Sequence, residues 1–258
     1  MLERSWQEQA REVLAGDDGA ATVSADPAPA YNLVKPGSAC PACGSPIKAW
    51  HNIPVLSYLL LRGRCAGCGT AIGMRYPVVE IVTAALSGLV AWRFGFGLEA
   101  AGALLLTWSL VALTVIDLDH QLLPDSITLP VLWLGLFFAL QGAEFTDLRS
   151  AVIGAMAGYL SLWSIYHLFK LVTGKEGMGF GDFKLLGALG AWLGWQMLPV
   201  IIILSALVGA GVGIAMIVLA GRDSQRPMPF GPFLAAAGYV AMLWGPELVA
   251  AYRQLAGF

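Results

Sequence analysis

The 258 residues are 57% hydrophobic and only 12% charged, against about 25% charged for an ordinary soluble domain. Most of the chain therefore has no face to give to water, which excludes intrinsic disorder and makes nucleic acid an unsuitable partner. The formal charge of -2 says little in itself, but 31 glycines and nine tryptophans fit a bundle of membrane helices, where close backbone approach and interfacial indoles are both common.

Residues 1–75 hold most of the polar sequence, including GDDGAATVSADPAPA. The opening MLERSWQEQAREVL has no apolar core and is not a secretory signal peptide; it reads as a short amphipathic helix or an arm. All four cysteines lie in this region, as Cys40-Pro-Ala-Cys43 and Cys65-Ala-Gly-Cys68, with 21 residues between the pairs and Gly44 and Gly69 after them. Two such turns can each aim two thiolates at one tetrahedral ion, so the pattern predicts a structural Zn2+ site with no open position. Reduced thiols without metal, or a redox pair, are the alternatives, and the redox reading leaves the second pair unexplained.

From Tyr76 on, seven apolar segments follow, at about 77–93, 100–116, 127–141, 150–170, 183–196, 199–220 and 231–249. The third and fifth fall short of the roughly 20 residues that cross a hydrocarbon core and must borrow flanking residues or be surrounded by protein. Gly179, Gly181, Gly187, Gly190 and Gly194, with Ala188 and Ala191, give the fifth a narrow surface suited to a central helix. The expected fold is an all-α polytopic membrane protein: seven predicted transmembrane helices over 76–258, preceded by a small N-terminal cytoplasmic zinc-binding domain, 1–75. Alternate connections place 12 of the 15 Lys and Arg on one side, against Arg93, Arg149 and Arg253 on the other. The positive-inside rule then makes the leading domain and the loops 117–126, 171–182 and 221–230 cytoplasmic and sends the C-terminus across the membrane.

Asp117, Asp119 and Asp125 lie in IDLDHQLLPD, directly after an apolar segment, and Asp182 lies in GMGFGDFKLL, directly before another. Carboxylates at membrane depth are costly and face a bundle interior, a partner or a wet cavity. Two brought together can share a proton, one activating water and the other acting as acid, which is the equipment of an aspartic protease. The plainer reading makes Asp125 and Asp182 helix N-caps. Gly179 and Gly181 permit a tight turn around Asp182. Lys184 is a charge partner, a substrate-positioning group or, most simply, a positive-inside anchor; His120 is a ligand, a proton carrier or, more simply, an ordinary loop residue. Competing functions on these residues are a proton- or cation-coupled transporter, for which no internal repeat is found, and a membrane scaffold carrying a zinc-bound interaction domain.

GMGFGDFKLL, IDLDHQLLPD and the double CxxC together resemble the bacterial type IV prepilin peptidases and their type II secretion counterparts, which belong to the GxGD aspartic proteases. The likeness runs from about Trp6 to Phe258 through YNLVKPGSACPACG, NIPVLSYLLLRGRC, AIGMRYPVVE and PFGPFLA. The resemblance implies Asp117, seven residues before Pro124, and Asp182 as the catalytic pair, with Asp119 the close rival for the first place. It implies cleavage of the basic leader of type IV prepilins or pseudopilins at the cytoplasmic side of the bacterial inner membrane, among membrane lipid. N-methylation of the new terminus with S-adenosylmethionine follows in many members. No glycine-rich methyl-donor turn is found; Glu80 in RYPVVE is either a polar member of that second site or a snorkelling helix-end carboxylate. The family usually opens with one further membrane helix ending in a GSFLN-like motif, and this sequence is expected to start after it, giving seven helices rather than eight.

Overall fold

Residues 38–48, 50, 53, 55–142, 145–175, 177–220 and 228–256 are described by the computed structural model. The expected N-terminal arm, the GDDGAATVSADPAPA stretch and most of the 221–230 connection lie outside the described residues. The chain divides into two compact units between Ile81 and Val82.

In the first unit, two hairpin-like turns have the same construction. Cys40 N donates to Ser45 O (3.0 Å) and Gly44 N to Cys40 O (2.9 Å); in the second turn Cys65 N donates to Thr70 O (2.8 Å) and Gly69 N to Cys65 O (2.9 Å). Antiparallel bridges Ala39–Pro46 and Arg64–Ala71 close them. Gly44 and Gly69 take φ of 67° and 72°, left-handed backbone that a Cβ would strain, which is why a glycine follows each CxxC. Between the turns runs the single-turn helix α1, Leu56–Leu60. Val55 before it has φ of 58°, an unfavourable conformation for a β-branched residue. Its amide is held by Glu80 Oε2 at 2.8 Å, near the start of α2, Arg75–Phe94.

The second unit is all helix. After α2 come α3, Leu98–His120; α4, Asp125–Leu140; α5, Leu148–Thr173; α6, Phe180–Leu193; α7, Leu198–Ala220; and α8, Gly231–Ala256. Each falls on one of the seven apolar segments. Five stretches, Arg75–Phe94, Leu98–His120, Leu148–Thr173, Trp195–Leu219 and Gly231–Ala250, are long and apolar enough to cross a membrane. The protein is thus an all-α, multi-pass membrane protein with five candidate spans, one shorter apolar helix, Asp125–Leu140, and the short helix Phe180–Leu193.

The two short helices are α4, of 16 residues, and α6, of 14. At 1.5 Å per residue α6 reaches only about 21 Å, less than the roughly 30 Å hydrocarbon core, and 11 of its residues are buried. It sits inside the bundle against α4, α5 and α8, as its glycines predict. Along the α5 contact the backbones themselves touch. A Cβ at Gly158 would lie 2.6 Å from the Leu186 carbonyl oxygen, and Gly154 and Gly190 leave no space for one against each other. Lipid offers no hydrophobic drive for this pairing, so dispersion at close approach must hold it. Gly190→Ala is accordingly expected to destabilise the bundle by about 1–3 kcal/mol or more through overpacking, read as a lowered midpoint in thermal or denaturant unfolding in detergent.

Several boundaries differ from the sequence expectation: α6 starts three residues earlier, at Phe180, which brings Asp182 inside the helix, and α8 runs on to Ala256. The segment expected as a loop from residue 117 stays helical to His120, and the turn is confined to 121–124. There Gln121 adopts φ of 53°, and Pro124 sets the N-cap of α4. Polarity rises before the hydrogen-bond ladder ends, so the apolar run understates α3. At the far end of α8, Trp244 departs from helical geometry beside Pro246. Arg93 covers this break: Nε donates to Leu243 O at 2.9 Å and Nη2 pairs with Glu247 Oε1 at 2.9 Å.

Candidate active site and metal centre

The C-terminal end of α3 meets the N-terminal ends of α4, α6 and α8, and the acidic residues collect there. Asp117, in the last turn of α3, is 5% exposed and Asp182, the third residue of α6, is 7% exposed; they are the buried carboxylates among the described residues. The charge of Asp117 acts on Asp182, so the two lie within electrostatic reach of one another. Neither is in an ion pair among the described residues.

Asp117 Oδ2 accepts a hydrogen bond from Gly231 N at 3.0 Å. That amide belongs to the first turn of α8, whose N–H groups have no partner within the helix and suit an anionic acceptor. Only glycine fits: a Cβ there would stand 2.6 Å from Asp117 Oδ2. Gly181 is equally crowded, since a Cβ would lie 2.7 Å from Leu123 Cβ. Leu123, buried in the connection from α3 to α4, thus packs on the glycine preceding Asp182 and reaches Gly231 as well. Gly231 and Leu123 carry no local signal of a site in the sequence; the Gly-Pro of PFGPF signals only a helix start.

The other acidic and basic candidates take different positions. Asp119, two residues beyond Asp117 and so on another side of α3, is exposed. The N-cap expectations fail for both carboxylates, because Pro124 caps α4 and Gly179 caps α6, each without a side-chain bond, and Asp125 and Asp182 fall inside the first turns. Lys184 is more than an anchor: its Nζ lies 2.6 and 2.7 Å from the two oxygens of Asp125. Gly179 is backbone at the N-cap, with the Asp182 amide donating to its carbonyl at 3.2 Å. Glu80 belongs to the first unit and bonds the Val55 amide.

The four cysteine Sγ atoms lie within 4.8 Å of one another, all as free thiols. Cys40 Sγ and Cys68 Sγ are 3.9 Å apart; a tetrahedral ion with Zn–S bonds of about 2.3 Å needs sulfurs about 3.8 Å apart. Hydroxyls stand beside two of the sulfurs, Ser45 at 3.2 Å from Cys43 and Thr70 at 3.1 Å from Cys68. The Thr70 hydroxyl and amide hold the Cys68 thiol down at about 6. The cluster can chelate a metal ion, and four ligands would close its shell.

Fold and site together define a polytopic membrane protein with a buried carboxylate pair at the helix ends and a four-cysteine knuckle unit before it. Residues 104–214 match the type IV leader peptidase family, and residues 20–94 match the bacterial peptidase A24 N-terminal domain. The chain is 56% identical to the prepilin leader peptidase/N-methyltransferase of Pseudomonas aeruginosa over 100% of its own length and 87% of that protein. It is 57% identical to the enzyme of the same name from Aeromonas hydrophila, over 98% of this chain and 85% of the relative. With that of Neisseria gonorrhoeae it shares 51% identity over 93% and 80%. No solved structure matches. The chain belongs to the type IV leader peptidase family.

Proposed function

We propose that this protein is a prepilin leader peptidase, an aspartic endopeptidase that removes the basic leader of type IV prepilins or pseudopilins and then N-methylates the exposed terminus. The observation that carries the reading is the burial of Asp117 and Asp182, from two different helices, within reach of each other's charge. One carboxylate takes a proton from water as it attacks the scissile carbonyl; the other, protonated, donates to the carbonyl oxygen and the pair then protonates the departing amine. Gly231 N–H fixes one oxygen of Asp117, leaving the other for this exchange. Asp119 is outside the pair, and Asp125, Lys184, Gly179 and Gly181 support it.

The remaining assignments follow from the same reading. All seven helices from α2 on span or enter the inner membrane, α4 and α6 within protein. Residues 1–75 form a cytoplasmic domain, 76–258 the membrane protease domain, with the active-site end cytoplasmic and the C-terminus opposite, as the Lys and Arg asymmetry favours. Zn2+ occupies the four-cysteine site in a structural role. The methylating half takes S-adenosylmethionine. The described residues contain no strand–turn–helix unit to hold it, and the bond from Val55 N supports Glu80 as a brace.

The test is incubation of the purified protein with a prepilin and the methyl donor, resolving leader loss and methyl gain by intact mass. Absence of cleavage by folded, metal-replete protein would sink the reading. Within it, Gly231→Ala pushes a methyl against Asp117 Oδ2 and is expected to lower the cleavage rate about tenfold to a hundredfold by misplacing the carboxylate. Measured kcat should fall while the helical circular dichroism stays.

A further inference from the structure

We infer that the Asp125–Lys184 ion pair positions the active site, locking the helix turn that carries Asp182 to the connection that leaves Asp117; this rests on the proposed roles of those two aspartates. The first turn of α6 has no side-chain cap of its own. Its N-cap is Gly179, which has no side chain to bond the free amides; the Asp182 amide donates to the Gly179 carbonyl at 3.2 Å, and the other amides of the turn depend on their surroundings. On one side the rings of Phe180 and Phe183 pack on Tyr166 and Tyr159 of α5; on the side of the other aspartate the turn is held by two contacts that both come from the 121–125 segment. Leu123 packs on Gly181, and Asp125 grips Lys184 through both carboxylate oxygens at 2.6 and 2.7 Å.

That same segment starts at the other aspartate. Gln121 N donates to Asp117 O at 2.9 Å, and its left-handed backbone turns the chain immediately after α3. One short stretch therefore carries Asp117 at its beginning and Asp125 at its end, and the ion pair closes it onto a residue two positions from Asp182. Lys184 Nζ is matched by Asp125, not by either buried carboxylate, so the pair acts through geometry and leaves the two aspartates free to hold a proton between them. Side chains of Lys184 and Asp125 are 28% and 54% exposed, and a pair so wetted adds little to global stability. Its consequence should appear in the rate.

The experiment compares full-length, zinc-replete protein in detergent with Asp125→Asn, Lys184→Met and the double variant, using steady-state cleavage of a prepilin. Each single change is expected to lower kcat about tenfold to a hundredfold, the scale of a small misplacement of reacting groups. KM should move less than about twofold, as for an interaction that matters only in the transition state, and the melting temperature by less than about 4 °C. The double variant should lose no more than the worse single, because each residue acts through the other, and Lys184→Arg should restore most of the rate. Unchanged kcat in the singles, multiplied losses in the double, or a rate that falls only in step with melting temperature would each overturn the inference. Should Lys184→Met fail to fold, Asp125→Asn against Asp125→Glu carries the same comparison. Asp117→Asn and Asp182→Asn run alongside: full cleavage by both would instead remove the dyad reading.

Discussion

Asp117→Asn and Asp182→Asn are each expected to abolish leader cleavage, by at least about 10²- to 10⁴-fold, the range over which a positioned acid or base contributes. The substitution is nearly isosteric. In Asp117→Asn the side-chain carbonyl can still accept from Gly231 N–H, which now bonds Asp117 Oδ2 at 3.0 Å, so the helix ends should stay together and the loss should appear in kcat. What disappears is the capacity to take up and return a proton, needed by both members of the pair in turn. Asp119→Asn is the control: Asp119 is exposed on another side of α3 and should cleave at close to the unaltered rate. Intact-mass assays of a prepilin with the three variants decide the matter, and strong loss with Asp119→Asn but not Asp117→Asn would move the first catalytic position. Because the two carboxylates interact, the pH profile of cleavage should report a pair titrating jointly rather than either residue alone.

How much of this was legible in the sequence depends on the range of the interaction. The seven helices were legible because each is a contiguous apolar run, and the cysteine turns because CxxC followed by glycine is a local geometry that recurs at Gly44 and Gly69 with the same hydrogen bonds. The placing of α6 inside the bundle was legible too, from its glycines and its short length. Contacts between distant positions left no such trace. In the sequence Lys184 resembles a topology anchor because Asp125 is 59 positions away, and nothing local marks Gly231 because its acceptor lies 114 positions earlier. The N-cap readings of Asp125 and Asp182 failed for a related reason. A carboxylate near a helix start resembles a cap locally, yet here Pro124 and Gly179 hold the cap positions, which frees Asp125 for Lys184 and Asp182 for the buried pair.

Removing the metal from the four-cysteine site is expected to unfold the first unit while sparing the helices that carry the carboxylates. The described part of that unit, 38–48, 50, 53 and 55–81, has few means of its own to stay folded: two knuckle turns, a single-turn helix, the start of α2, and little buried apolar side chain beyond Cys40 and Pro77. Small units of this kind draw their folding free energy from the ion, on the order of 10–16 kcal/mol for structural zinc at neutral pH. The sulfurs already stand at tetrahedral spacing, so purified protein should carry stoichiometric zinc by elemental analysis. Cys43→Ser or Cys68→Ser should lower zinc content, and a strong chelator should remove it, each raising hydrogen exchange and proteolysis over residues 38–81. Asp117, Asp182, Asp125, Lys184 and Gly231 all belong to the second unit, so exchange protection of α3, α4 and α6 should persist in the stripped protein. A fully reduced, zinc-free protein with the first unit still protected would refute the structural role. Loss of protection throughout α3 and α6 would show instead that the bundle depends on the knuckles for its own stability.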